Sequence, residues 1–298
     1  MKDFTNKVAF VTGGAAGIGL AMAQSFVRAG MKVVIADVRR DHLDEARAAF
    51  APGSAVHAIQ LDVADRQAMA QAADEAERVF GKVHVLCNNA GVGVGGPLRL
   101  ATYDDWDWVM SVNLGGVING LQTFLPRMLA HGEEGHIVNT SSAAGLVAHA
   151  GLGIYTTTKY AITGLSETLR TELLGTKIGV SILCPGRVNT KIADASGSRP
   201  ARYAQTGYAE TMKAMQKMSL SPVYMEAGTV GDMVLDAIRE DRMYIITQRE
   251  FGDGIRARHA AVEAALPPGP GNPELKAMLT GVNENPIYAT GREKAGDK

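Results

Sequence analysis

Only two cysteines, Cys87 and Cys184, occur in 298 residues, and both stand in apolar runs with strand character. That placement excludes a disulfide framework and predicts free thiols in a reducing, cytoplasmic compartment. An excess of charge is also missing. Lys plus Arg (30) nearly cancel Asp plus Glu (31), so no bulk field draws nucleic acid or an anionic membrane. No apolar run approaches the roughly 20 residues of a membrane span. The stretch from Met1 to Lys7 is charged and lacks the apolar core of a secretory signal, so a soluble protein without a leader is expected. A Gly-x-Ser-x-Gly elbow, as used by serine hydrolases, is absent too. His131-Gly132-Glu133-Glu134-Gly135-His136 lacks helical His-Glu spacing and reads as a solvated loop, so no metal site is predicted. Asn139-Thr140-Ser141 fits a glycosylation sequon but falls at the end of a buried strand.

What is present is a regular alternation. Val8 to Thr12 is a short apolar run stopping at Gly13-Gly14, as a fully buried parallel strand does. Ile18, Ala21, Met22, Phe26 and Ala29 then recur at helical spacing until Gly30. Further strands are expected at 33–36, 55–60, 83–87, 136–139, 179–183 and 243–247, with helical patterns between them. With 46 % hydrophobic residues and no internal repeat, the pattern predicts one α/β domain over 1–250. It is a doubly wound Rossmann fold: seven parallel strands with helices on both faces. Residues 251–298 form a C-terminal extension, whose Leu-Pro-Pro-Gly-Pro-Gly-Asn-Pro run predicts an irregular or surface-wrapping tail.

The turn Thr12-Gly13-Gly14-Ala15-Ala16-Gly17-Ile18-Gly19 joins the first strand to the first helix. Gly13, Gly17 and Gly19 allow backbone conformations without a Cβ and close approach of a pyrophosphate, while the helix opening at Ile18 offers free N–H groups. Asp37 ends the second strand, where a carboxylate accepts hydrogen bonds from an adenosine ribose and repels a 2′-phosphate. Arg39 and Arg40 follow closely and could compensate, so NAD is preferred and NADP is the lesser alternative.

Tyr155 and Lys159, four apart in a helical segment, project from one face, and a neighbouring ammonium would favour the phenolate. Ser142 precedes Tyr155 by thirteen residues, just beyond a strand at the ligand-binding end of such a sheet; Ser141 is its rival. Together with the glycine turn, Asn88-Asn89-Ala90-Gly91 and Asn113, this set resembles the short-chain dehydrogenase/reductase family from about Lys7 to Thr190. The resemblance implies that Ser142 binds the substrate oxygen, Tyr155 transfers its proton, and Lys159 holds the nicotinamide ribose while lowering the Tyr155 pKa. It also implies that Asn113 supports a water-mediated relay and that Asp62 and Val63 lie beside adenine. By the same resemblance Asn89 and Gly91 line the cleft, and the stretch Pro185, Gly186, Val188 and Thr190 holds the carboxamide side. An alcohol/ketone oxidoreductase forming a homodimer or homotetramer is the expected result. The rival class is a cofactor-binding regulator without turnover.

Beyond Thr190 the chain departs from the common pattern. Residues 190–225, with Tyr203, Tyr208, Met212, Met215 and Met218, are expected to form a substrate-binding lid, although side chains at this near-helical spacing are more often core. Thr102-Tyr103-Asp104-Asp105-Trp106-Asp107-Trp108, Ser198-Arg199-Pro200-Ala201-Arg202-Tyr203 and the long tail resemble the Cα-dehydrogenases that oxidise benzylic alcohols of lignin-derived aryl ethers. Steroid-like or other bulky secondary alcohols are the alternative substrates.

Overall fold

A computed structural model describes residues 1–218 and 224–289, without the side chains of 193, 194, 196 and 214–218; Met215 and Met218 therefore lie outside the described side chains. Strand and helix alternate from the start. β1 (Val8–Thr12) leads to α1 (Gly17–Arg28), β2 (Lys32–Asp37) to α2 (Arg40–Ala48), and β3 (Val56–Gln60) to α3 (Arg66–Phe80). After β4 (Val85–Asn88) come α4 (Tyr103–Val109) and α5 (Gly116–His131), joined by a π-helical turn over Met110–Gly115. Then follow β5 (Gly135–Thr140), α6 (Gly153–Glu172), β6 (Ile178–Cys184), α7 (Ala209–Met218), α8 (Ala227–Glu240) and β7 (Tyr244–Ile246).

All seven strands are parallel, in the order β3-β2-β1-β4-β5-β6-β7. Alternate residues feed opposite faces, the two-residue period of extended chain. Phe10 joins Leu86, Ile137 and Val180 under α3, α5 and α6, whereas Ala9 and Val11 join Ile35, Cys87 and Val138 under α1, α2 and α8. A sheet covered on both faces needs apolar residues at nearly every strand position, which is why short continuous runs marked the strands. Strand order reverses between β1 and β4, and the loops leaving the two carboxyl ends diverge there to open a crevice.

The expected lid is a closed excursion. Val188 pairs with Met225 in an isolated parallel bridge, and the Met225 N–H donates to the Arg187 carbonyl while its own carbonyl receives the Asn189 N–H, both at 2.9 Å. Tyr208 is buried in a satellite cluster with Val92, Val94, Trp108, Val109 and Ile154, and Met212 packs on its edge. The segment is thus partly core.

The C-terminal extension is more ordered than its breakers suggest. It forms α9 (Gly252–Ala264), α10 (Pro273–Met278) and α11 (Thr280–Asn283), and Asn272 caps α10 by accepting the N–H groups of Glu274 and Leu275. The chain then returns to the body. Ile287 buries against Ile182, Cys184 and Met243, while the Tyr288 and Tyr244 hydroxyls both donate to Glu167 on α6. Ile287→Ala is expected to cost about 2 kcal/mol, the lower end for a buried Ile truncation because the site is peripheral. Urea unfolding checks this; a midpoint equal to wild type would show that the return segment carries no stability.

Candidate functional site

The crevice between β1 and β4 is a cavity of about 320 Å³ reaching from Asp37 at one end to Ser142, Tyr155 and Lys159 at the other. Its floor is the glycine turn. Gly13 and Gly17 have φ of +61° and +51°, and a Cβ on Gly13 would stand 2.9 Å from the Ala90 Cα. The α1 N-cap, Ala16, makes no side-chain cap, so first-turn N–H groups face the crevice without a competing side chain. This cradle fits a pyrophosphate, and the room that the absent Cβ atoms leave is the observation that supports it.

Asp37 lines the far end and accepts the Arg39 N–H at 3.0 Å. Arg39 is engaged elsewhere: its Nε donates to Asp41 at 2.8 Å, with a second Nη contact to the same carboxylate, and Arg40 lies near Asp44. Asp62 and Val63 close this end, and Asn89, Gly91, Pro185, Gly186, Val188 and Thr190 line the remainder. Gly19 does not reach the cavity. A Cβ there would stand 2.0 Å from the Gly13 carbonyl oxygen and 2.7 Å from Asn89 Nδ2, so Gly19 serves the packing of α1 on the turn. Val38 and His42 also line the crevice and stand outside any motif of the sequence, whereas Ile192, Ala195 and Arg202, lining it too, fall within the expected 190–225 segment.

At the inner end α6 supplies two groups one turn apart. Lys159 is 3 % exposed and its Nζ donates to the Thr140 carbonyl at the end of β5, at 2.8 Å. Burial pulls its pKa down to about 8, partly opposed by Cys184 nearby. Burial likewise pushes the Tyr155 phenol above its ordinary value, while a hydrogen bond with Ser142 draws it back. Lys159 Nζ lies 5.4 Å from the Tyr155 ring centroid, and the net direction of the phenol's shift is nevertheless upward. The expected depression is thus corrected: with the ammonium anchored on a backbone carbonyl, desolvation of the phenol dominates.

The two serines separate by geometry. Ser141 Oγ is committed to the Lys159 carbonyl at 2.8 Å and to Thr163 at 3.0 Å. Ser142 Oγ accepts the Ala144 N–H, has only a long 3.4 Å contact to the Pro185 carbonyl, and meets Tyr155. Asn113 is fully buried in the π turn and does not line the cavity. Its Oδ1 accepts the Val92 N–H at 2.8 Å, and its Nδ2 donates to the Val92 carbonyl at 3.0 Å and toward Thr158. The side chain therefore positions the Gly91–Val92 turn. Asn89 is a similar tie, its Nδ2 donating to the Thr12 carbonyl at 3.0 Å. Among the described residues no cluster of His, Cys, Asp or Glu could hold a metal ion.

A glycine-cradled crevice at the switch point of a doubly wound sheet, with a Ser-Tyr-Lys group at its inner end, defines a dinucleotide-binding protein equipped for proton transfer. The comparisons name the family. Residues 7–201 match the short chain dehydrogenase family, and the chain belongs to it. Over 303 aligned residues, 99 % of each chain, it is 39 % identical to the C alpha-dehydrogenase of Sphingobium sp. strain SYK-6. Its fold is similar to a short chain dehydrogenase/reductase from Burkholderia phymatum in complex with NAD, with TM-score 0.82, 37 % identity, and 91 % of this chain and 99 % of that one covered. It is also similar to the apo form of LigO from Sphingobium sp. strain SYK-6, with TM-score 0.74, 42 % identity, and 99 % and 96 % covered.

The depressed Lys159 pKa has a sign that can be tested. Its folded value lies below the unfolded one, so the fold works against the ammonium. The penalty is fully present below about pH 8 and vanishes as pH rises toward 10.5. At pH 7 it amounts to on the order of 3 kcal/mol. Lys159→Met is expected to be more stable than wild type at pH 7, by less than this because Thr140 loses its partner, and the gap should narrow toward pH 10. Urea titrations at both pH values check it; a Met variant less stable at pH 7 would contradict it.

Proposed function

We propose that this protein is an NAD(H)-dependent secondary-alcohol dehydrogenase acting on benzylic or other aryl alcohols and the matching ketones. The observation that carries the reading is Tyr155 standing with Ser142 and Lys159 at the inner end of a crevice whose outer end is the Asp37 carboxylate. Gly13, Gly17 and Ile18 would cradle the pyrophosphate, Asp37 the adenosine ribose, Asp62 and Val63 the adenine, and Pro185 to Thr190 the carboxamide. When bound, the nicotinamide supplies the hydride donor or acceptor. Asp37 would repel a 2′-phosphate on the ribose it holds, and Arg39 is tied to Asp41, so NAD is favoured over NADP.

Tyr155, protonated in the free protein, donates its proton to the substrate oxygen during ketone reduction and takes it back during alcohol oxidation. Ser142, with no strong competing acceptor, donates to the same oxygen and stabilises its developing charge. Lys159, held by Thr140, offers its remaining N–H bonds to the ribose hydroxyls. Trp108, Val112, Ile192 and Ala195 give the same cavity an apolar wall suited to an aromatic ring. The resemblance to the Sphingobium Cα-dehydrogenase supports this substrate class. Residues 1–250 are read as the catalytic unit, with 190–225 its substrate-binding segment and 251–298 an extension. Ile118 and Leu129 stand exposed on α5, apolar surface that supports a homodimer or homotetramer. No described helix is long and apolar enough to cross a membrane, and the buried thiols of Cys87 and Cys184 favour the cytoplasm.

Tyr155→Phe is expected to lower kcat by about 10² to 10⁴ while the NADH Kd stays within a few fold, because the ring still packs and only the proton carrier is lost. NADH absorbance with 1-phenylethanol and acetophenone measures the first and NADH fluorescence the second; half of wild-type activity in the variant would remove Tyr155 from the role. With the same substrates, kcat/KM should favour NAD over NADP, and Asp37→Ala should narrow the gap. Equal values in the wild type would refute the cofactor assignment.

A further inference from the structure

The two segments that resemble the Cα-dehydrogenases, 102–108 and 198–203, meet in space. Asp105, in the first turn of α4, is wholly buried. Its Oδ2 accepts the Thr102 N–H and hydroxyl at 3.0 Å and the Gly207 N–H at 3.2 Å, and its Oδ1 accepts Arg199 Nη1 at 2.8 Å. Arg199 is one-tenth exposed. Its guanidinium also donates to the carbonyls of Tyr203 and Gln205 and lies 4.9 Å over the Trp108 ring. Burial pushes the Asp105 carboxyl up, but the bonds from Thr102, Thr206, Arg199 and Gly207 together hold it below its ordinary value.

This arrangement joins three things. The excursion pinned at its base by Val188 and Met225 gains a second fastening at Arg199, the start of α4 is locked to residues 203–207, and one face of Trp108 is covered. Trp108 lines the crevice; Asp105 and Arg199 do not. A buried ion pair is a costly way to fill space, and apolar side chains would do so as well. What the pair adds is fixed geometry, because the planar guanidinium fork satisfies a carboxylate, two carbonyls and an indole face at once, which no lysine can.

We infer that Asp105 and Arg199 are positioning residues for substrate selection, latching the 199–207 segment onto α4 and holding Trp108 as a rigid aromatic wall. The inference rests on the proposed function, since an aryl substrate is what such a wall would favour. The pair touches neither substrate nor cofactor, so it acts through Trp108 and the seating of the segment.

The test compares the full-length wild type with Arg199→Gln, Arg199→Lys and Trp108→Leu, using 1-phenylethanol and 2-butanol as alcohols and NADH fluorescence for the cofactor. Arg199→Gln should raise KM for 1-phenylethanol at least tenfold more than KM for 2-butanol, with kcat within a few fold and the NADH Kd within twofold. Trp108→Leu should reproduce that selectivity loss, and Arg199→Lys should recover little of it. Equal changes for both alcohols, a parallel rise in the NADH Kd, or full rescue by lysine would overturn the inference. If Arg199→Gln does not fold, the same criteria are applied to Trp108→Leu. If the wild type turns over neither alcohol, the functional reading has failed, and the latch is judged by amide hydrogen exchange in Arg199→Lys. Faster exchange confined to 199–208 would then uphold it, and unchanged exchange would overturn it.

Discussion

The site depends on one buried cation. Lys159 has left water almost completely, and the Thr140 carbonyl at the end of β5 is the group that receives its ammonium. Such a charge is tolerated only where dipoles are fixed around it. The surroundings are built to that need. A Cβ on Gly91 would stand 3.3 Å from Asn113 Oδ1, a tight approach, and Asn113 holds that turn by both backbone groups of Val92. Ser141 in turn binds the Lys159 carbonyl, fixing α6 against the end of the sheet. Tyr155, one helical turn earlier, is therefore placed by the same contacts that place Lys159.

The stability this forgoes is recovered elsewhere. The two core clusters on either face of the sheet bury nearly every strand side chain, and the C-terminal return pins α6 from its far end through Glu167 and Thr171. The helix that carries the chemistry is thus held at the crevice by Ser141 and at the opposite end by Asn285 and Tyr288. On this one helix burial lowers the pKa of the lysine and raises that of the phenol.

Much of this was legible in the sequence because its causes are local. Buried parallel strands must be apolar throughout, so runs such as Val8–Thr12 announced themselves, and Gly13 and Gly17 marked a turn with positive φ. Asn272-Pro273 was equally local, a cap followed by proline at the first helical position, but it was read as breakers, and α10 was missed. Other features had no local signal. Gly19 looks like a cleft glycine, yet its neighbour is the Gly13 carbonyl, a packing fact visible only after folding. The π turn that buries Asn113 is set by its bonds to Val92, and Arg199 meets Asp105 across 94 positions of chain. Lys159 was expected to draw the Tyr155 pKa down because spacing reveals proximity but not desolvation, which here is the larger effect.

The central claim, that desolvation outweighs the Lys159 charge at the Tyr155 phenol in the free protein, is tested most directly by ultraviolet difference titration. The tyrosinate absorbance of wild type minus that of Tyr155→Phe isolates one phenol among the eight in the chain. The account predicts that this phenol titrates above the ordinary value of 10. A difference signal titrating at or below 10 would contradict it and would mean that the Lys159 charge, not desolvation, governs the site.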